Sequence, residues 1–192
     1  MRTGMLLLAA LTIGASCNKK ARYVDPDAES RVEGTGIEAR DIRAIVAEMT
    51  ANLLASPAMH TPTPPRLAVL PVENRTRFLI DQDLFTTLIT DELIRSAAGR
   101  LAIINRDLLE QILAERDRKI RGQVSDDGEV SALAGVDWFV EGELSGLSAS
   151  TNRAQTDFVV VRFQATNAET GVVAWSNSYQ MKKEGSWGVM YQ

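Results

Sequence analysis

The apolar positions of the chain follow two different spacings, and their alternation predicts its secondary structure. Residues 67–70, LAVL, form a short continuous apolar run that ends at Pro71, which is typical of a strand covered on both faces. Before this run, apolar residues recur at helical spacing over residues 38–56 and predict an amphipathic helix. After it, Asp81 is placed to cap a second helix, which is predicted over residues 82–99.

The same two spacings recur in the next part of the chain. The run LAII at residues 101–104 predicts a second buried strand. A third helix is expected to follow, with Asp107 and Glu110 forming its capping box. This helix is expected to bury an apolar face that comprises Leu108, Leu109, Ile112 and Leu113. A short further helix is predicted over residues 126–134.

The last third of the chain favours β-strands. Residues 136–147, 158–165 and 172–182 are rich in β-branched and aromatic side chains. We expect them to form an antiparallel three-strand meander, with Trp138 and Trp175 in the core or paired across strands. The chain as a whole is therefore predicted to be α+β with an α/β-like start. Its helices pack on a single mixed sheet of about five strands, and its crossovers are right-handed.

The N-terminus has the pattern of an export signal. Arg2 precedes the apolar segment MLLLAALTI, which is too short to span a bilayer. Small residues then lead into Cys17, the single cysteine, in an arrangement that resembles the cleavage box of bacterial lipoproteins, with Gly14 where such boxes usually carry leucine. We therefore predict a signal peptide at residues 1–16 and lipidation of Cys17. An ordinary signal peptide followed by an incidental cysteine is the alternative.

Residues 17–36 are predicted to be the lipidated N-terminus and a disordered tether, and residues 37–192 a single domain. A flexible chain of this length typically spans roughly 25 Å, against about 70 Å when fully extended. Asn18 follows the predicted lipidation site, where lipoprotein sorting reads Asp as a signal for inner-membrane retention. The expected localisation is therefore the outer membrane, with the domain facing the periplasm.

The composition of the chain and its motifs argue against several classes of function. A net charge of −4 and a pI near 5.1 argue against a nucleic-acid-binding protein. The single histidine, His60, lies in a proline-rich linker, so the chain offers no Cys/His zinc site and no pair of nucleophile and base. No glycine-rich phosphate loop follows the strand at residues 67–70. We expect a binding or regulatory protein rather than an enzyme, with no metal, no cofactor and no small-molecule substrate.

Two stretches of the sequence resemble the LpoB family of outer-membrane lipoproteins. One is LAVLP at residues 67–71, followed by the Asn-Arg-Thr of residues 74–76 and the Ile-Asp of residues 80–81. The other is GIEARDIRAIVAEMTANLLASP at residues 36–57, and the lipoprotein signal also agrees. The resemblance covers most of the chain. It implies a periplasmic adaptor that docks on a small regulatory domain of a class A penicillin-binding protein and raises glycan polymerisation and peptide cross-linking.

For contact with this partner we single out the polar loop residues Asn74, Arg75, Thr76 and Arg77, because arginine is enriched in protein interfaces. The alternative is that Asn74 and Thr76 only close the loop by local hydrogen bonds. The tether is short for this family, whose members cross the peptidoglycan layer on a long one.

A second resemblance keeps another function open. INRDL within residues 103–108 and GVDWFVEG at residues 135–142 are similar to curli-type secretion lipoproteins and to the N-terminal domain of the TolB family. That alternative is an envelope-assembly lipoprotein. A subunit of an export channel would need strands of about 9–11 residues with one lipid-facing side. Residues 158–165 are apolar on both faces, which argues against it. An enzyme is the third and weakest alternative.

Overall fold

A mixed sheet of six strands forms the centre of the protein in the computed structural model, which describes residues 22–29, 34–125 and 130–186. The predicted signal peptide and Cys17 lie outside these residues. The helices are α1 (Ala39–Ala55), α2 (Gln82–Ala97) and α3 (Leu109–Ile120), with a short 3-10 turn at Pro57–Met59. The strands are β1 (Arg66–Val69), β2 (Glu73–Asn74), β3 (Ala102–Ile103), β4 (Trp138–Ser150), β5 (Ala154–Asn167) and β6 (Val173–Ser186).

The strand order is β3-β1-β4-β5-β6, and β2 pairs with β4 beyond the end of β1. Strand β1 is parallel to both of its neighbours, while β4, β5 and β6 are antiparallel. The prediction of an α+β fold with an antiparallel C-terminal meander is confirmed. The sixth strand is β2, two residues long, in a stretch whose polar sequence predicts a loop.

Helices α1 and α2 pack against one face of this sheet. The apolar stripe of α1, with Ile45, Met49 and Leu53, is buried against α2 and β6. Helix α2 contributes Phe85, whose ring stacks on that of Phe163 from β5 at a centroid distance of 6.1 Å. No helix among the described residues is long and apolar enough to cross a membrane.

The sheet alternates between a buried and a more open face, as strand pleating requires. Val140 and Leu144 of β4 face the helices and are buried, whereas Glu141 and Glu143 point to the other side and are partly exposed. Between the two buried positions lies Gly142, where an added Cβ would stand 2.2 Å from the ring of Phe163. The close approach of Phe163 to the backbone of β4 therefore requires glycine at this position.

The predicted N-cap of α2 agrees with the structure, and the helix ends at Ala97, two residues before the predicted end. The Asp81 carboxylate accepts a hydrogen bond from the Leu84 amide at 3.0 Å. At the other end Ala98 and Gly99 take positive φ angles of 49° and 84°, which stop the helix. Trp175 lies in the core, as predicted, and its indole donates to the side-chain oxygen of Asn52 at 2.9 Å. Trp138 pairs with Leu67 and Asn167, not with Trp175.

The prediction that α3 buries an apolar face is wrong. None of its residues is buried, and Leu108 and Leu113 are each about half exposed. The physical reason is the small size of the sheet at this edge. Helix α3 follows β3, and β3 and β1 are only two and four residues long. The sheet therefore offers α3 little apolar surface at this edge.

Two further local predictions about this region fail. The α3 N-terminus does not use a capping box of Asp107 and Glu110. Instead the side-chain oxygen of Asn105 accepts from the amides of Asp107 at 2.9 Å and Leu108 at 3.3 Å. Asn105 stands two residues before Asp107, so it can form an Asx turn that satisfies the same free amides. Residues 130–134 are not helical, so the predicted short helix is wrong there, and the first part of that prediction, residues 126–129, lies outside the described residues.

Candidate functional site: the loop between β1 and α2

The loop singled out from the sequence is attached to the edge of β4. We call residues 73–81 the docking loop. After β1 ends, the Leu70 amide donates to the Val140 carbonyl at 2.8 Å, and the buried Val72 donates to the side chain of Thr86 at 3.1 Å. The chain then pairs with β4 again through β2, and the Arg75 amide donates to the Leu144 carbonyl at 2.8 Å. This pairing fixes the loop along the sheet.

Asn74 and Thr76 close the docking loop from within. The side-chain oxygen of Asn74 accepts from the Thr76 amide at 2.9 Å and from the Thr76 hydroxyl at 2.7 Å. The Asn74 amide group donates to the Phe78 carbonyl at 2.8 Å, and the Phe78 amide donates to the Thr76 hydroxyl oxygen at 3.2 Å. Their polar groups are thus engaged in holding the turn, as the local hydrogen-bonding alternative expects.

Arg77 binds a buried carboxylate. Its guanidinium donates to the two oxygens of Asp157 on β5 at 2.9 and 2.6 Å, and it lies 4.5 Å from the centroid of the Phe78 ring. The side chain of Asp157 is 1% exposed, and it also accepts from the Ser148 hydroxyl and from Gln155 at 2.8 Å. Hydrogen bonds from the docking loop, β4 and β5 therefore meet on one carboxylate.

These contacts set the protonation of Asp157. Burial by itself raises the pKa of this carboxyl, but hydrogen bonds from Ser148, Thr35 and Arg77 and the positive charge of Arg77 outweigh it. The pKa of Asp157 therefore lies below its usual value. Because Thr35 lies at the end of the predicted tether, shortly before α1, the same cluster joins that segment to the docking loop.

Arg75 is the loop arginine that faces outward. It donates to both carboxylate oxygens of Glu73 at 3.0 and 2.9 Å and lies 3.5 Å from Glu143, and its side chain is 58% exposed. The hydrogen bond from Arg75 lowers the pKa of Glu73 below its usual value. Of the four residues predicted to contact a partner, Arg75 and Arg77 both keep about half of their side chains exposed, although the guanidinium of Arg77 is bound to Asp157. Asn74 and Thr76 are partly buried.

The docking loop and the strand beside it hold two features that the sequence did not reveal. Leu79 is 98% exposed although its neighbours Phe78 and Ile80 pack against the core. The second feature is the buried carboxylate of Asp157. The sequence shows only a charged residue directly before the apolar run of residues 158–161, which does not predict burial of that charge. Among the described residues no group of histidine, cysteine and carboxylate side chains is arranged to hold a metal ion. The loop offers binding chemistry: a fixed shape, an accessible arginine and an exposed leucine.

Solved structures that are similar to this chain include three of LpoB. The C-terminal domain of LpoB from Salmonella enterica has 15% sequence identity and a TM-score of 0.49, covering 73% of this chain and 98% of that one. The corresponding Escherichia coli domain has 17% identity and a TM-score of 0.48, with the same coverage. The NMR structure of E. coli LpoB has 14% identity and a TM-score of 0.44, covering 93% of this chain and 88% of that one.

No curated protein sequence matches the chain. The model of the family described as peptidoglycan-synthase activator LpoB matches residues 41–181, a stretch that runs from the first turn of α1 into β6 and includes the whole docking loop. This protein therefore belongs to the LpoB family of peptidoglycan-synthase activators.

Proposed function

We propose that this protein is an outer-membrane lipoprotein that binds a class A penicillin-binding protein and activates its peptidoglycan synthesis. The observation that carries the proposal is the family match over residues 41–181. The chemistry of the reaction belongs to the synthase. The role of this chain is to bind the active conformation of the synthase more tightly than the inactive one, because only such a difference in affinity can shift the balance between them.

The membrane anchor in this proposal is the lipid on Cys17. Each methylene buried in the bilayer contributes about 0.8 kcal/mol, and stable attachment needs more than one acyl chain, which bacterial lipoprotein acylation supplies. The tether of residues 17–36 then lets the domain reach a partner in the periplasm. The support for this part of the proposal is the sequence of the N-terminus, with a short apolar segment placed directly before the single cysteine.

The contact surface in this proposal includes Arg75 of the docking loop. Asn74, Thr76 and Arg77 act as positioning residues, since their hydrogen bonds define the backbone that carries Arg75. Arginine suits such a position because its planar group stacks and forms paired hydrogen bonds with a partner.

The test is reconstitution of the purified chain with a class A penicillin-binding protein from the same cell. We expect glycan polymerisation from the lipid-linked precursor to rise several-fold on adding the chain, and the two proteins to be isolated together from detergent-solubilised membranes. An unchanged rate together with no complex would end the proposal. Recovery of envelope-assembly or secretion components in place of a synthase would support the alternative drawn from the curli-type and TolB resemblance.

A matched pair of substitutions locates the contact. Arg75→Glu changes an arginine that is 58% exposed and paired with a nearby glutamate, while Arg118→Glu does the same on α3, where the arginine is 55% exposed and 3.0 Å from Glu115. We expect Arg75→Glu to reduce activation and Arg118→Glu to leave it unchanged. Equal effects of the two substitutions would show that overall charge, and not the loop, matters.

A further inference from the structure

The docking loop presents one leucine almost completely to solvent. Leu79 is 98% exposed, which costs free energy because water must surround a large apolar side chain. Its neighbours on both sides, Phe78 and Ile80, pack against the core. Ile80 and Phe85 occupy the two positions that form a hydrophobic staple at a helix start, so the residue before Ile80 must point outward.

The position of this leucine is fixed by the backbone around it. The Phe78 carbonyl and amide are both hydrogen-bonded to side chains of the loop, through Asn74 and Thr76. On the other side, Asp81 caps α2 through the Leu84 amide. Because the backbone on both sides of Leu79 is already held in place, little backbone entropy is lost when a partner covers this side chain, which favours a role as an interface anchor.

The surroundings of Leu79 carry negative charge and a second apolar side chain. Leu84 in the first turn of α2 is half exposed. Asp81 and Asp83 flank it, are exposed, and form no ion pair with a described residue. Of the two loop cations, Arg77 is bound to the buried carboxylate of Asp157, and Arg75 is matched by Glu73 and Glu143. The charged residues that flank Leu84 and form no ion pair with a described residue are therefore both carboxylates.

We propose that Leu79 and Leu84, flanked by Asp81 and Asp83, form the surface that docks on the regulatory domain of the peptidoglycan synthase, and that the complementary site is an apolar pocket rimmed by lysine or arginine. The inference rests on the proposed function. The negative charge of Asp81 and Asp83 indicates which kind of partner covers this surface. A second copy of the chain meeting the same surface would oppose carboxylate to carboxylate, and an anionic membrane surface would repel it, whereas a basic rim attracts it.

The experiment measures the dissociation constant between the purified full chain in detergent and the immobilised synthase. The apolar test is Leu79→Ser, with Ile120→Ser as its control, because Ile120 is 70% exposed on α3. The charge test is Asp83→Lys, with Asp91→Lys, an exposed carboxylate further along α2, as its control. We expect Leu79→Ser to raise the dissociation constant at least tenfold. Asp83→Lys lowers the association rate several-fold, an effect that fades at high salt, and both controls bind as the parent does.

The melting temperatures of the variants are first compared with that of the unsubstituted chain, called the parent. When they match, a change in binding is not caused by unfolding. A parent that binds and activates the synthase, with Leu79→Ser behaving identically, overturns this surface and leaves the proposed function standing. A parent that neither binds nor activates overturns both. If Leu79→Ser changes only the sedimentation of the free chain, the occupant is a second copy. If it changes only binding to vesicles of anionic lipid, the occupant is a membrane. Either of these last two outcomes overturns the proposal.

Discussion

Arg77 and Asp157 are 80 residues apart in the sequence and joined by two hydrogen bonds, of 2.9 and 2.6 Å. The pair connects the docking loop to β5, and Thr35 joins it from the end of the predicted tether. Asp157 is buried while Arg77 is half exposed. Leaving the buried carboxylate without its arginine would cost free energy. The pair is therefore the main electrostatic link between the loop and the sheet.

Removing the arginine of this pair should destabilise the fold. Because Arg77 is half exposed, we expect Arg77→Ala to lower the free energy of unfolding by about 2–3 kcal/mol, less than the roughly 3–5 kcal/mol of a pair buried at both ends. Urea denaturation followed by circular dichroism measures this. Arg118→Ala, which removes a surface pair within α3, should change stability by no more than about 0.5 kcal/mol. Similar values for the two variants would contradict a structural role of Arg77.

The carboxylate of the pair predicts a dependence of stability on acid. The pKa of Asp157 is lower in the folded than in the unfolded chain, so the unfolded state takes up its proton first as the pH falls. Its stabilising effect is fully present above the unfolded value of about 3.9 and is lost as the pH falls through the lower folded pKa.

The measurement compares the parent with Asp157→Asn in urea at several pH values. The variant should be the less stable protein near pH 7, and the difference between the two should shrink between about pH 5 and pH 2, since the parent alone loses the contribution of this carboxylate. Asp137, whose pKa Arg66 lowers, remains in both proteins and cancels in the comparison. A difference that stays constant with pH would show that Asp157 does not titrate as described.

The close approach of Phe163 to β4 gives a prediction about the core. Gly142→Ala places a methyl group 2.2 Å from the ring of Phe163, so the ring and its stack on Phe85 must shift. We expect a loss of about 1–3 kcal/mol in the free energy of unfolding, typical of overpacking. The control is Gly135→Ala, where the nearest atom is the end of the Arg66 side chain at 3.9 Å. Differential scanning calorimetry of both variants distinguishes a packing clash from a general effect of replacing glycine.

The sequence predicted the parts of the fold that depend on local pattern. The run at residues 67–70 ends in Pro71, and Asp81 stands directly before α2, so both signals are contained within a few residues. The failure at α3 has a different origin. Its apolar face has the right spacing, but burial depends on the length of the strands opposite, which the spacing of Leu109 and Ile112 does not encode.

The candidate site shows the same division. The polar loop at residues 74–77 is visible in the sequence, and so is the possibility that Asn74 and Thr76 bond to each other. The inward direction of Arg77 depends on Asp157, a residue that only the pairing of β4 and β5 brings near. The exposure of Leu79 depends on Ile80 being directed into the core. The apolar character of Leu79 and Ile80 predicts burial for both, so the sequence could not show which of the two is exposed.

Part of the predicted tether lies against α1, and this contact should depend on salt. Arg43 donates to both carboxylate oxygens of Asp27 at 2.6 and 3.1 Å, and this carboxylate raises the pKa of Arg43. Both side chains are about half exposed, so ions in solution screen the pair. We expect NMR signals of residues 22–29 to move toward random-coil positions in about 1 M salt, where the screening length is roughly 3 Å. Asp27→Asn should produce the same shift at low salt.

Two substitutions at the predicted N-terminus of the mature chain test how the protein is anchored. If Cys17 carries the lipid, Cys17→Ser removes the acyl chains, and the protein should move from the membrane to the soluble fraction of the cell envelope with a corresponding loss of mass. Asn18→Asp keeps the cysteine and changes only the sorting residue, so the protein should stay lipidated and shift from the outer to the inner membrane. The domain itself is unchanged in both variants, so purified protein should still bind the synthase. Membrane attachment of Cys17→Ser would show that the apolar segment before it, and not a lipid, holds the chain.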